Sequence, residues 1–166
     1  MIGNYVRVSA QELEEALKDS SLISTLIFGE EEDEEDGKPR ENTLEIDQAW
    51  HGIHFLLTGD PWAGAPPLSY VVLGGQPLGD DDLGYGPPHY LTPAQVREAA
   101  ATLTQLSLDD LRQRYVPEKF VAAEIHPPIW DEGEEALEYI LSYLRQVIDF
   151  FRTAAANGEA VIFWLE

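Results

Sequence analysis

The chain has 166 residues, of which 44% are hydrophobic, a length and composition that suit one globular domain with one main core. Its 31 Asp and Glu against 10 Lys and Arg give a formal net charge of −21, which leaves no general basic surface to displace counterions from phosphates. Nucleic acid and anionic membranes are therefore excluded as ordinary partners, and the absence of cysteine removes disulfides, thiolate metal sites and a cysteine nucleophile.

The first segment, Tyr5, Val6 and Val8 among polar residues, alternates as a strand does. Ser9 and Glu12 then stand at capping-box spacing and predict a helix. Leu13 and Leu17, followed by Leu22, Ile23, Leu26 and Ile27, are expected to supply its apolar face, with a break at residues 19–21. From Glu30 to Asp36 the chain is uninterrupted acid. Like charge without hydrophobes repels itself and stays solvated, so residues 29–43 are expected to form an acidic exposed loop.

"IDQAWHGIHFLLTGD", residues 46–60, reads as a helix with Ile46, Trp50, Ile53 and Leu57 on one stripe and His54 beside it. His54 should point to the core or its edge. Asp47 and His51, four apart on an adjoining face, are expected to form a modest surface ion pair. A metal site built from Asp47, His51 and His54 is not favoured. Two histidines three apart, with no intervening glutamate, lack the helical zinc-site spacing.

Residues 59–90 are rich in Gly and Pro around one apolar island, Leu68 to Leu73, which suits a short strand or a single helical turn. Long irregular segments inside a domain are commonly functional, and this is the expected location of a site. Tyr85, His89 and Tyr90 surround a Pro-Pro turn and are candidates to line a small pocket with Trp62 or Trp130. Simple aromatic packing is the favoured alternative.

Thr92, Pro93 and Gln95 predict a helix from Pro93 to about Leu106, Ser107 with Asp110 a second, and Pro117 a third through Ala123. "EIHPPIW", residues 124–130, reads as a connector anchored by Ile125, Ile129 and Trp130. Leu137, Ile140, Leu141, Leu144, Val147, Ile148 and Phe151 recur at three- and four-residue steps. Fully buried they contribute about 10 to 20 kcal/mol gross, at about 1.5 to 3 each, and make this helix the spine of the core. Asn157 and Gly158 stop it, and "EAVIFWLE" alternates as a strand with both faces covered.

The reading is α+β: a single domain over 1–166, several helices on a small mixed or antiparallel sheet, and a long C-terminal amphipathic helix followed by a terminal strand. No nucleophile elbow, P-loop or dinucleotide fingerprint is present, and no cofactor or metal is expected. No leader pattern or bilayer-length apolar run appears, so a cytoplasmic location is expected.

"MIGNYVRVS", "WHGIHFLLTG", "PLSYVVLGG", "DLGYGPPHYLTPAQV", "EIHPPIW" and "AVIFWL" occur in that order along nearly the whole chain. In these segments the sequence resembles the YfbM-like family of small bacterial proteins, a domain of unknown function. The resemblance implies an α+β fold and cytoplasmic residence, and it supplies no activity. The family pattern matches Trp50, Ile53, His54, Phe55, Thr58 and Gly59, while His51 falls on a variable position. The acid run at 30–36 departs from that pattern as a lengthened loop.

Two functions are carried forward. The first is a non-catalytic binding or inhibitory, immunity-like protein for a basic macromolecular partner, suggested by charge and by the lack of a catalytic motif. The second is a small-molecule binder or enzyme with a pocket beside His54 and the 59–90 loop, His54 acting as acid or base and Trp50, Thr58, Tyr85 and Tyr90 contributing to binding.

Overall fold

Ser9, Thr92 and Ser107 each begin a helix in the same way. The hydroxyl accepts the N3 backbone N–H, and the N3 side chain, Glu12, Gln95 or Asp110, accepts the cap's own N–H. The computed structural model in which they are seen describes residues 1–30 and 39–166. The expected acidic loop at 29–43 lies largely outside the described residues. Within them, Arg40 donates to the carbonyls of Leu26 and Ile27, and Asn42 to the carbonyl of Arg7 at 3.0 Å.

The chain runs β1 (Gly3–Val8), α1 (Ala10–Lys18), α2 (Ile23–Phe28), β2 (Thr43–Glu45), α3 (Trp50–Thr58), β3 (Gln76–Pro77), β4 (His89–Leu91), α4 (Pro93–Gln105), α5 (Leu108–Arg114), α6 (Pro117–Ala122), α7 (Glu134–Asn157) and β5 (Ala160–Leu165). Among the described residues five strands form one sheet in the order β2-β1-β5-β4-β3, and each of these pairings is antiparallel. The fold is α+β, with the terminal strand between β1 and β4 at the centre of the sheet.

Strand alternation sorts side chains to two faces. Tyr5, Leu91, Val161 and Phe163 face the larger core with α3, α4 and α7. Val6, Val8, Tyr90, Ala160, Ile162 and Trp164 face a smaller one with α1, α2 and Leu78. Helices thus cover both faces of the sheet, as the near-continuous apolar run of β5 requires. Along α7 the expected stripe is buried, with Ile148 partly so. The helix ends at Gly158, whose φ of 67° is the left-handed conformation usual just past a helix.

Leu17 and Leu22 depart from the expected N-terminal core: they are 52% and 38% exposed, and Ala16 takes the inward position on α1. Ala16 and Leu17 lie three and four residues from Leu13, and of the two it is Ala16 that is buried beside it. Asp19 ends α1 and accepts the Ser21 N–H at 3.0 Å, so the break falls at 19–22. The apolar island becomes a 3-10 turn at Leu68–Tyr70, which buries Val71 and Val72. No helix among the described residues is long and apolar enough to cross a membrane.

Candidate functional site

Helix α3 is apolar almost all round. Trp50, His51, Gly52, Ile53, His54, Leu56 and Leu57 are all buried, so α3 runs inside the molecule and not along its surface. A 3-10 turn at Asp47–Ala49 leads into it, and Gly59 ends it at φ 73°.

His51 is 1% exposed, which corrects the expected surface ion pair with Asp47. The Asp47 carboxylate instead accepts the Tyr139 hydroxyl at 3.0 Å. That phenol, half buried and facing the Asp47 charge, is held well above the usual tyrosine range. The loops at 59–64 and 125–130 fold over His51, and periodicity within α3 carries no sign of them.

Hydrogen bonding fixes the state of the His51 ring. Its Nε2 lies 3.0 Å from the Pro61 carbonyl, which can only accept, so Nε2 carries the proton. Its Nδ1 accepts the His126 backbone N–H at 3.0 Å and is therefore unprotonated. The ring is a neutral bridge between two loops, stacked on Trp50 at 4.8 Å and touching Trp62 at 4.5 Å. Burial pushes its pKa below the ordinary histidine value, and the neighbouring His54 and His126 lower it further.

His54, also 1% exposed, donates from Nε2 to the Ala63 carbonyl at 2.8 Å. Burial lowers its pKa as well. Its Nδ1 and the Trp50 indole N–H are buried without a hydrogen-bond partner. The Thr58 hydroxyl donates back to the His54 carbonyl at 2.8 Å and accepts the Asp60 N–H at 3.1 Å. Asp60 in turn accepts the N–H groups of Trp62 and Ala63 at 2.9 and 2.7 Å, which holds its carboxyl below the usual range. Gly64 completes this turn at φ 130°, where a Cβ would meet Thr58 Cβ at 2.7 Å. The two histidines, Thr58 and Asp60 thus share one loop closure over α3.

Five candidate residues came from the sequence, and the fold disperses them. Trp50 and His54 are sealed in the larger core. Thr58 lines a cleft of about 350 Å³ with Phe55, Gly59 and Arg114. Tyr85 is 56% exposed and lines a different, small cleft of about 100 Å³ with His89 and Phe163. Tyr90 is buried in the smaller core on the other face of the sheet, its hydroxyl donating to Gln76 at 2.7 Å. Consecutive positions on β4 face opposite ways, which accounts for the separation of Tyr90 from His89 and from the Tyr85 cleft.

A cavity of about 570 Å³ that sequence reasoning passed over lies where α6 meets the 124–131 segment, lined by Phe120, Glu124, Ile125, His126, Trp130 and Asp131 among others. Its aromatic floor is fixed. Phe120 and Trp130 are 4.6 Å apart, and the Trp130 indole donates to the Ile125 carbonyl at 2.6 Å. Gly52 on α3 makes room for Trp130, since a Cβ there would lie 2.7 Å from Trp130 Cη2. The available sequence signal was a glycine inside an otherwise apolar helix. Among the described residues no group of three or more His, Asp or Glu is placed to hold a metal ion.

Comparison with known proteins adds family and fold. No curated protein matches the chain. The crystal structure of YfbM from Escherichia coli, a protein of unknown function, superposes with a TM-score of 0.75 over 98% of each chain at 22% identity, a likeness of fold. The family model described as "Domain of unknown function (DUF1877)" matches residues 1–164, so the chain belongs to that family.

Proposed function

We propose that the protein is a non-catalytic binding protein, of the inhibitory, immunity-like kind, for a basic macromolecular partner in the cytoplasm. The observation that carries this reading is how the few cations are used. Arg7, Lys18, Arg112, Arg145 and Arg152 are engaged in ion pairs within the chain. Arg40 and Arg114 donate to backbone carbonyls at the ends of α2 and α3.

Acidic side chains, in contrast, stand exposed at Asp80, Asp81, Asp109, Asp131, Glu132 and Glu135. A surface of one sign speeds encounter with the opposite sign and rejects like-charged competitors. The second reading, a pocket beside His54, has less support, because that ring is sealed and its Nε2 is committed to Ala63.

Native affinity capture tests the proposal. Wild type is compared with a variant in which the carboxylates of residues 30–36 are replaced by amides, each at low and at moderate salt. The expected result is a partner of fixed stoichiometry held at low salt, weakened as the Debye length shrinks to about 8 Å, and weakened again in the variant. A partner retained equally under all four conditions, or none in any, argues against it.

A further inference from the structure

Residues 126–129 form a short connector between two buried anchors, Ile125 and Trp130, each 2% exposed. The chain reaches it from α6 through Glu124, which ends that helix in the left-handed conformation at φ 52°. The connector's own residues are half-buried or exposed, so little apolar surface holds it down. Among the described residues one hydrogen bond ties it to α3, from the His126 backbone N–H to His51 Nδ1 at 3.0 Å. The bond from the Ile129 N–H to the Pro127 carbonyl, at 2.9 Å, shapes the connector without fastening it.

That tie requires a lone pair on Nδ1. The Nε2 proton of His51 is committed to the Pro61 carbonyl, so a second proton can go only to Nδ1, where it turns an acceptor into a donor that faces another donor. The charge would also lie on a ring only 1% exposed. The charges that act on His51 are His54 of its own helix and His126 of the connector, each cationic when protonated. The Asp60 carboxylate of the 60–64 turn acts on His54. Other charged groups near α3 are engaged elsewhere: Arg114 of α5 at the Leu57 carbonyl and Asp47 at the Tyr139 hydroxyl of α7. Lys119 of α6 lines the Thr58 cleft, Glu124 and Asp131 line the 570 Å³ cavity, and the turn at Leu68–Tyr70 carries no charged side chain.

We propose that His51 is a proton-operated latch: protonation at Nδ1 expels the His126 N–H and lets residues 126–129 lift from α3 while the sheet and α7 stay folded. The connector supplies His126 and Pro128 to the wall of the 570 Å³ cavity, so the latch sets how open that cavity is. Once the connector has lifted, the ring takes up a proton near the ordinary histidine value of about 6.5. The closed ring does so only at lower pH, because it is buried. The closed form is therefore fully favoured above this window and loses ground as pH falls through it. The latch does not depend on the macromolecular reading above.

Amide hydrogen exchange of the intact protein between pH 7.5 and 4.5, corrected for intrinsic exchange rates, tests the latch, and the scalar coupling across the His126 N–H to Nδ1 bond reports it directly. Protection of the His126 amide is expected to fall by up to about tenfold per pH unit below about 6.5, with the coupling lost in step. The paired amides of β1 and β5 should stay more strongly protected throughout. His51→Asn, whose side-chain oxygen can accept in the place of Nδ1 without titrating, should keep the His126 amide protected across the range. His126→Gln retains the backbone N–H and should retain the wild-type pH dependence, which separates His51 from His126 as the titrating ring. Protection of this amide that is flat across the range, that is lost only together with β1 and β5, or whose pH dependence survives in His51→Asn or vanishes in His126→Gln overturns the proposal.

Discussion

His51 accepts a hydrogen bond at 3.0 Å from the backbone N–H of His126, 75 residues further along the chain. The same ring donates to Pro61, so one imidazole fastens both loops that close over α3. Replacing it should therefore act on stability. His51→Phe keeps a ring of similar area but leaves the Pro61 carbonyl and the His126 N–H without this partner, and a buried polar group so left costs about 1 to 3 kcal/mol. A loss of about 2 to 4 kcal/mol in denaturant unfolding is expected, with an m-value close to wild type.

The buried histidines also set a pH dependence. Both have folded pKa values below the ordinary value, in each case chiefly through burial. As pH falls through about 6.5 the unfolded chain binds protons that the folded chain refuses, so stability falls with acidification and rises with pH across this window. The slope reaches at most about 1.4 kcal/mol per pH unit for each group. Asp60 and Asp82, whose carboxyls are held low by backbone N–H donors, add their loss only below about pH 4. Thermal melts between pH 5 and 7.5 should show the histidine part, and His51→Phe should reduce its slope.

Tyr5 is fully buried and donates to the Val71 carbonyl at 2.7 Å, tying β1 to the apolar island at 68–73. Tyr5→Phe preserves shape and removes only the hydroxyl. The expected cost is about 1 to 2 kcal/mol, as for an orphaned buried carbonyl, read from chemical denaturation.

Gly52→Ala sets two effects against each other. Helix propensity favours alanine by about 1 kcal/mol. The new methyl, however, meets Trp130 Cη2 at 2.7 Å, and that ring is held by its bond to Ile125. Overpacking of about 1 to 3 kcal/mol should prevail, giving net destabilisation and a changed near-ultraviolet circular dichroism signal.

Much of this architecture is written locally. The Ser9, Thr92 and Ser107 caps, the α7 stripe and the β5 alternation are each specified by residues a few positions apart, and each forms as the sequence predicts. Strands β2, β3 and β4 are three, two and three residues long, too short to carry a period, and they exist because longer neighbours pair with them. The site was less legible. His51 is buried by loops distant in sequence, Tyr85 and Tyr90 are parted by the sheet, and the left-handed Glu124 gives no compositional sign. The likeness to the YfbM-like family, read from ordered segments, agrees with the family match and with the fold.

The preference for a non-catalytic reading over His54 as an acid or base turns on the state of the two α3 histidines, and long-range ¹H–¹⁵N spectra of the imidazoles across pH 5 to 8 report it. The account predicts neutral rings with the proton on Nε2 in both His51 and His54, remaining neutral to lower pH than an ordinary histidine because burial disfavours the charged form. Either ring protonated on Nδ1 alone, or titrating near or above pH 7, would contradict it and return His54 to candidacy as an acid or base.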